Sequence, residues 1–450
     1  MNILRHLLLL PALLIFGCET VGRARRAQAS AERRPGETSV TAAQAGLSAA
    51  HPFTLAELER VALEHHPALL IAREAVEAAR LQLRMTHAGR LPQLNASAAY
   101  TRSTQNVWGR PTASEARGSW SAGVGLDLLL YDFGRLDAAE RQNLEALIAA
   151  EQSLRDAELE TVHAVRAAFF ERHRSVHLMR VAVESESQYA QHLEEARIMT
   201  EVGTRRQYDV TKAEVDWGNA RLEAVTASNN LVVAHAQLNR ALGLAENPDY
   251  RIGPGELPAA RRHPDALLAD ARFNAPSLAV LRARERAASA YVDQTIADLY
   301  PEFSLGADAD LSGRGFPFVW NLSGALRTAQ NLFDGHRKTA RIDEAVTQLR
   351  RARAAVAEAE QTLSLNLVTA VAERESARKR ADIARLIQRQ AEDNLAIVNE
   401  QYRVGISSSI ERTDAQVALT QAQANVIRAA YDEQAAIARI ARLTGEPVTR

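Results

Sequence analysis

The sequence predicts a mainly α-helical protein with a β-barrel part, built from two copies of one unit. Each unit contains a helix, a strand hairpin, a very long helix and a returning helix. Residues 135–202 and 336–404 contain neither glycine nor proline, which marks two uninterrupted helices. These two stretches lie in register at a fixed offset of 202 residues. Because an α-helix rises about 1.5 Å per residue, each stretch predicts a helix about 100 Å long.

The duplication can be followed residue by residue. Adding 202 maps Leu130 onto Leu332 and Asp132 onto Asp334 before the long stretches, and Gly203 onto Gly405 after them. Repeats of this length are duplicated half-domains rather than units of a solenoid.

The elements can be assigned in chain order. Residues 1–18 are predicted to be a signal peptide with a lipobox, 19–52 a flexible leader, 246–264 the linker between repeats and 446–450 a C-terminal tail. The first repeat, 53–245, contains a helix, a strand hairpin at about 92–130, a long helix at about 134–202 and a returning helix at about 206–243. The second repeat, 265–445, contains the same elements, with its hairpin at about 301–332, its long helix at about 335–404 and its returning helix at about 408–445.

The first helix has its own signals. Thr54 is placed to cap it, Glu57 is its capping-box partner, and Pro67 predicts a break or kink. The strands are indicated by alternation of apolar and polar residues, as in Trp120–Leu130 and Phe303–Leu311.

Strands about ten residues long with aromatic residues near the loop ends, such as Trp108 and Trp320, are typical of an outer-membrane barrel. The alternative is a two-layer soluble sheet with one solvated face. Four strands leave open edges, which a barrel in lipid cannot have, so the chain is expected to oligomerise. Two copies would supply eight strands, and three would supply twelve with an aqueous lumen.

Composition excludes several classes of function. The net charge of −1 argues against a nucleic-acid partner, and no run of 18 apolar residues predicts a transmembrane helix. The sequence has no phosphate loop, nucleophile elbow or zinc-protease motif, so neither an enzyme nor a cofactor is expected. His173 and His177 have the spacing of metal ligands on a helix, but we expect an exposed helix face to explain them, and no metal site is predicted.

The N-terminus has the features of an export signal. Arg5 precedes an apolar core, residues 7–16, and Cys18 is the single cysteine of the chain. Residues 15–18 resemble the bacterial lipobox, in which the thiol is acylated, so Cys18 is the predicted lipidation site. The alternative is an ordinary signal peptide cut after Ala29. One cysteine also excludes an internal disulfide.

The order of these motifs, found twice, resembles the outer membrane factor family. The matching motifs are Leu91-Pro92 and Tyr300-Pro301 before the hairpins, Leu130-Tyr131-Asp132-Phe133-Gly134-Arg135 and Leu332-Phe333-Asp334-Gly335 before the long helices, and Val202-Gly203 and Tyr402-Arg403-Val404-Gly405 after them. The resemblance covers residues 53–445. It implies a lipid-anchored homotrimer in the bacterial outer membrane, with a 12-stranded barrel and a long α-helical barrel across the periplasm. In that family the protein is the passive exit duct for an inner-membrane transporter, joined to it through a periplasmic adaptor.

The resemblance also implies roles for the turns that follow the long helices. Acidic residues at the positions of Glu411 and Asp414 ring the periplasmic entrance in the family, and Asp209 holds the same place in the first copy. The helical tips are implied to contact the adaptor, through Val202, Gly203, Thr204, Val404, Gly405 and Ile406. A simpler explanation of the acids is that the helix dipole favours negative charge in a first turn.

Two alternatives to an efflux duct remain. One is the outer-membrane duct of a type I protein secretion system, and the other is a coiled-coil envelope spacer without a pore. Polar residues on one strand face favour a channel, because a spacer has no use for an aqueous lumen. Lipidation and the short segment after Gly445 indicate a drug-efflux type by family analogy, and the cargo itself is not predicted.

Overall fold

Two helices of 67 residues each dominate the structure, a computed structural model that describes residues 21–29, 41, 52–103, 117–248, 250–255, 257 and 264–446. The helices are α1 (21–29), α2 (Leu55–His65), α3 (Pro67–Ala88), α4 (Arg135–Glu201), α5 (Gln207–Ala241), α6 (Pro264–Asn274), α7 (Pro276–Ala297), α8 (Arg337–Arg403) and α9 (Ser409–Leu443). The strands are β1 (Gln93–Ser103), β2 (Arg117–Tyr131), β3 (Glu302–Gly313) and β4 (Val319–Ala329). This composition and element order confirm the predicted fold class.

Several predicted features lie outside the described residues. They are the signal peptide with Cys18, the hairpin residues 104–116 with Trp108, and the tail residues 447–450. Within the predicted leader, residues 21–29 form α1, an alanine- and arginine-rich segment with high helix propensity. No helix among the described residues combines the length and apolarity needed to cross a membrane.

Local signals set where helices begin. Thr54 caps α2 in a capping box with Glu57, and Pro67 starts a new helix, α3, directly after the α2 cap at His66. Each long helix begins after an aspartate that accepts backbone N–H groups of the first turn. The Asp132 carboxylate accepts from the N–H of Leu136 at 2.7 Å, and the Asp334 carboxylate accepts from that of Lys338 at 3.2 Å.

The described chain divides into two compact units. Unit 1 contains the described residues within 1–67, 164–256 and 383–431, and unit 2 contains those within 68–163, 257–382 and 432–450. Each unit therefore combines segments of both sequence repeats. The reason is that α4 and α8 are long enough to contribute residues to both units.

Unit 1 has small cores where long and returning helices meet. Ala391 and Leu395 of α8 pack with Ala415 and Leu419 of α9, and Leu193 and Ala196 of α4 pack with Val210 of α5. Alanine at these contacts lets helix backbones approach closely.

The first segment and the linker also meet in unit 1. Phe53 forms a parallel bridge with Ile252, and the Glu59 carboxylate accepts from the Arg166 guanidinium at 2.7 Å. Both partners of this ion pair are largely buried, so removing either would leave a buried charge unpaired.

The expectation that His173 and His177 lie on an exposed face is wrong. Both are half-buried and stack on the Tyr431 ring, and the His173 imidazole is 3.1 Å from the Gly253 carbonyl. Burial is the main cause that lowers the pKa of both histidines. They are packing residues of unit 1.

Unit 2 contains the sheet and its own core. Leu267, Ala271, Leu278, Leu363, Leu367 and Ile440 form a buried cluster drawn from α6, α7, α8 and α9. Where β2 leads into α4, Phe133 stacks on Tyr300 with ring centroids 5.0 Å apart.

The sheet is antiparallel, with the order β1-β2-β3-β4. Its pairing register puts alternating residues of all four strands on a common face. We call one the polar face, which carries Gln93, Asn95, Ser97, Thr101, Ser103, Arg117, Ser119, Ser121, Gly123, Gly125, Asp127, Glu302, Ser304, Gly306, Asp308, Asp310, Ser312, Asn321, Ser323 and Arg327, together with a few small or apolar residues such as Ala99, Val319 and Ala325. The opposite, apolar face carries residues such as Trp120, Leu126, Leu311, Trp320 and Leu322. The strands β1 and β4 each have one partner within the chain, so each leaves one edge open.

Candidate functional site

The two turns that follow the long helices, both in unit 1, are built alike. Gly203 and Gly405 adopt φ of +77° and +79°, the left-handed conformation that favours glycine. The N–H of Thr204 donates to the Met199 carbonyl, and the N–H of Ile406 donates to the Gln401 carbonyl, both at 2.9 Å. Glycine in this conformation with a hydrogen bond five residues back is the Schellman motif that ends helices.

All six predicted tip residues are exposed in the described structure. Three of them are large apolar side chains at the surface, Val202, Val404 and Ile406, of which Ile406 is 76% exposed. Exposed apolar side chains on two neighbouring turns suit contact with another protein.

Two of the three acids predicted to line an entrance cap the starts of the returning helices. Glu411 forms a capping box with Ser408, because its carboxylate accepts from the Ser408 N–H at 2.9 Å and its own N–H donates to the Ser408 hydroxyl at 3.2 Å. Asp209 is the corresponding residue of α5, and its carboxylate accepts from the Arg206 N–H at 3.4 Å. Asp414 is exposed.

Polar contacts join the starts of the two returning helices. The Ser409 hydroxyl donates to the Asp209 carboxylate at 2.8 Å. Further along the same two helices, the Asp216 carboxylate of α5 accepts from the Lys212 ammonium at 2.7 Å and from the Thr413 hydroxyl of α9 at 3.0 Å. The structure thus brings Asp209 to the start of α9.

Two arginines surround Tyr402, which is almost fully buried at the end of α8. The Arg205 guanidinium lies 4.4 Å from the ring centroid, and it donates to the carbonyls of Tyr402, at 3.3 Å, and Ser407, at 3.5 Å. The Arg412 guanidinium lies 4.8 Å from the same centroid. Arg412 also donates to Asn399 at 2.9 Å and to the Glu195 carboxylate at 2.7 Å.

Burial sets the protonation of two neighbours of this cluster. It lowers the pKa of His192 to about 4, with help from the positive charge of Arg412, so His192 is neutral at pH 7. It also raises the pKa of Tyr189 to about 12, with further contributions from the carboxylates of Asp216 and Asp414. The charges that remain near the turns are therefore those of the arginines, Lys212 and the carboxylates.

Sequence patterns did not identify Arg205, Arg412 or the triad of Lys212, Asp216 and Thr413. The available signal was divergence between the copies, because Arg205 corresponds to Ser407 and Val210 corresponds to Arg412 at the offset of 202. A contact between two turns 200 residues apart in the chain cannot be derived from that signal. No group of three or more His, Cys, Asp or Glu within the described part of the chain could hold a metal ion.

We predict that Arg412→Ala loosens the turn after α8. The variant loses two charge-assisted hydrogen bonds and the contact with Tyr402, so the free energy of local opening should fall by roughly 1–3 kcal/mol. Hydrogen–deuterium exchange of the amides between residues 395 and 413 measures this change. Arg403→Ala is the matched control, since Arg403 is 72% exposed and pairs only locally, with Glu400, among the described residues. Equal protection in the two variants would contradict the prediction.

Comparison with known proteins agrees with this architecture. The family described as OEP, outer membrane efflux protein, matches residues 58–244 and 267–446. The outer membrane protein OprJ of Pseudomonas aeruginosa is 26% identical over 391 residues, which cover 80% of this chain and 78% of OprJ. The probable outer membrane lipoprotein SilC of Salmonella typhimurium is 25% identical over 246 residues, 54% of this chain and 52% of SilC.

A solved structure shows the same fold. The Campylobacter jejuni CmeC outer membrane channel superposes with a TM-score of 0.78 at 16% identity, over 87% of this chain and 85% of CmeC. The family match spans both repeats and most of the chain. It confirms the resemblance seen in the sequence, the outer-membrane location and the role as a channel for efflux. The chain belongs to the outer membrane efflux protein family.

Proposed function

We propose that this efflux channel works as a homotrimer, as the passive exit duct of an inner-membrane pump that it meets through a periplasmic adaptor. The observation that carries the proposal is the four-stranded sheet with open edges at β1 and β4. Unpaired backbone groups cost several kcal/mol each in lipid, so the edges must be paired by other copies of the chain. Three copies supply twelve strands, enough to enclose an aqueous lumen.

The helices offer a second contact between copies. On α5, exposed apolar side chains follow one stripe, which consists of Tyr208, Val215, Leu222, Val225 and Val232. On α8 a similar stripe consists of Leu365, Val368, Ile383, Leu386 and Ile397. Helical stripes of this kind are normally buried against another helix, which supports pairing of α5 and α8 from neighbouring copies.

The first prediction from this proposal concerns assembly. The detergent-solubilised protein should have the mass of three chains by light scattering, and Leu222→Glu with Val225→Glu should reduce the trimer fraction, because charges would be buried at the contact. Asn230→Glu, on another face of α5, is the control and should remain trimeric. A wild-type monomer would overturn the proposal, and a stable trimer that does not conduct in bilayers would favour the spacer.

The entrance is the second part of the proposal. Three copies of Glu411, Asp414 and Asp209 near the ends of the rods would form a ring of carboxylates, which attracts cations and narrows the closed channel. Glu411→Gln with Asp414→Asn removes both charges, and the amide oxygen of the new glutamine can still accept the hydrogen bond from the Ser408 N–H. We expect single-channel conductance to rise about twofold or more, with weaker block by multivalent cations added on the periplasmic side.

The control for the entrance is Glu151→Gln with Glu358→Gln, a pair of exposed acids in unit 2. This control should conduct and block like the wild type. If the variant at positions 411 and 414 also behaves like the wild type, those acids serve only the helix starts.

The adaptor contact is assigned to the exposed tips. The exposed apolar side chains of Val202, Val404 and Ile406 support this assignment, because the core of a protein–protein interface buries apolar side chains. A photoreactive residue at position 404 should cross-link to the adaptor in cells, whereas one at position 358 should not. Equal cross-linking from both positions would exclude the tips as the specific contact.

We assign the lipid anchor to Cys18, whose acylated thiol would hold the protein in the membrane in addition to the barrel. The probable lipoprotein SilC among the relatives supports this assignment. Cys18→Ala should abolish incorporation of labelled palmitate, while the barrel still inserts, because one acyl chain contributes little beside a barrel. Unchanged labelling would show that the lipobox interpretation is wrong. The drug-efflux type stays a prediction of the sequence.

A further inference from the structure

The side chain of Arg327 crosses the polar face of the sheet from one strand to another. Arg327 lies near the end of β4, and its guanidinium reaches Asp308 of β3 at 3.1 Å and Asp127 of β2 at 3.4 Å. The side chain thus spans β3 to reach β2. All three residues are about half exposed in the single chain, so the guanidinium pairs with the two carboxylates at a surface that solvent reaches.

Two glycines make room for this arrangement. A Cβ atom at Gly306 would lie 2.8 Å from Arg327 Cζ, so the guanidinium lies flat on the backbone of β3 at this point. A Cβ atom at Gly125 would lie 2.8 Å from a carboxylate oxygen of Asp308. Glycine inside a strand often marks the close approach of another group, and here the approaching groups are the charged ones.

The charges on the polar face are unequal. Arg117 lies at the far end of β2, and Glu302 at the start of β3 pairs with Arg135. Between these ends of the face, Arg327 is the one cation of the described strands, and it lies among Asp127, Asp308 and Asp310. The Asp310 carboxylate accepts from the Asn321 amide at 3.2 Å and has no cationic partner within the described part of the chain. In this middle part of the face, three aspartate carboxylates therefore share one guanidinium in each copy.

We propose that Arg327, seated on Gly306, sets the charge of the barrel lumen by pairing with Asp127 and Asp308, so that one positive charge offsets part of the negative charge of the three aspartates and Asp310 keeps no cationic partner. The inference rests on the proposed trimer, in which the polar face lines the lumen. Three copies place nine aspartate carboxylates and three Arg327 guanidinium groups on this face, which gives the lumen a preference for small cations. Without Arg327 the charge of these nine carboxylates would not be offset by Arg327, and multivalent cations would bind there strongly enough to block passage.

The test is block of single channels by hexamminecobalt(III) added on the extracellular side. Arg327→Gln should lower the half-blocking concentration at least about threefold, because each copy gains uncompensated negative charge. Asp310→Asn should raise it. Gly306→Ala should lower the half-blocking concentration by a smaller factor. The new methyl group displaces the Arg327 guanidinium from Asp127 and Asp308, but the positive charge of Arg327 stays in the lumen.

Gly324→Ala is the matched control. Gly324 pairs with Ala307 on the apolar face, and a Cβ atom there would meet no atom within 4 Å, so block should match the wild type. Arg327→Lys keeps the charge without the planar fork and should fall between Arg327→Gln and the wild type. Hexamminecobalt(III) added on the periplasmic side should block all of these variants at the wild-type concentration.

The outcomes separate the two proposals. If the wild-type protein is not trimeric or does not conduct, the proposed channel assembly fails. If it conducts and both Arg327→Gln and Gly306→Ala have the wild-type half-blocking concentration, the lumen assignment of Arg327 is overturned. If Arg327→Gln does not assemble, Gly306→Ala decides alone, and a wild-type half-blocking concentration for that variant overturns the assignment.

Discussion

Close contact between helices through alanine is the interaction on which the rest of the structure depends. The helices α4 and α8 carry charged residues along their whole length, so neither has a broad apolar face to bury. What holds the returning helices against them is a set of narrow contacts centred on residues such as Ala196, Ala391 and Ala415. Small side chains allow the backbones to approach, and many weak dispersion contacts then add up along the length. The turns occupy defined positions because these contacts hold both helices that flank each of them.

At the turns, the two repeats have kept the backbone and changed the side chains. Both helices end in a Schellman motif at glycine, and both returning helices start with an acid that accepts a backbone N–H three residues earlier. Arg205 and Arg412 have no counterpart at the equivalent positions of the other repeat. Their guanidinium groups both contact the ring of Tyr402 at the end of α8, so the contact between the two turns is centred on the second repeat. A duplicated scaffold has thus acquired a contact that neither copy could form alone.

The sheet combines a simple pattern with a specific charge arrangement. Alternation gives it one apolar and one polar face, as a strand pair between lipid and water requires. On the polar face, glycine appears where Arg327 and Asp308 lie on the backbone of a neighbouring strand. The arrangement of charge on that face is therefore decided by small residues as well as by charged ones.

The sequence alone determined the repeat, the long helices, the break at Pro67, the capping of α2 by Thr54 and the two-faced hairpins. Each is a local signal: the absence of glycine and proline, a capping box, or a period of two. The sequence also located Asp209, Glu411 and Asp414 at helix starts. The structure shows that Asp209 and Glu411 accept hydrogen bonds that cap these helices. Tertiary structure alone decided that His173 and His177 are buried against Tyr431, that Arg205 and Arg412 meet at Tyr402, and that Arg327 reaches Asp127 across a strand. These contacts join residues distant in the chain, and their partners depend on the register and rotation of packed elements, which no local pattern specifies.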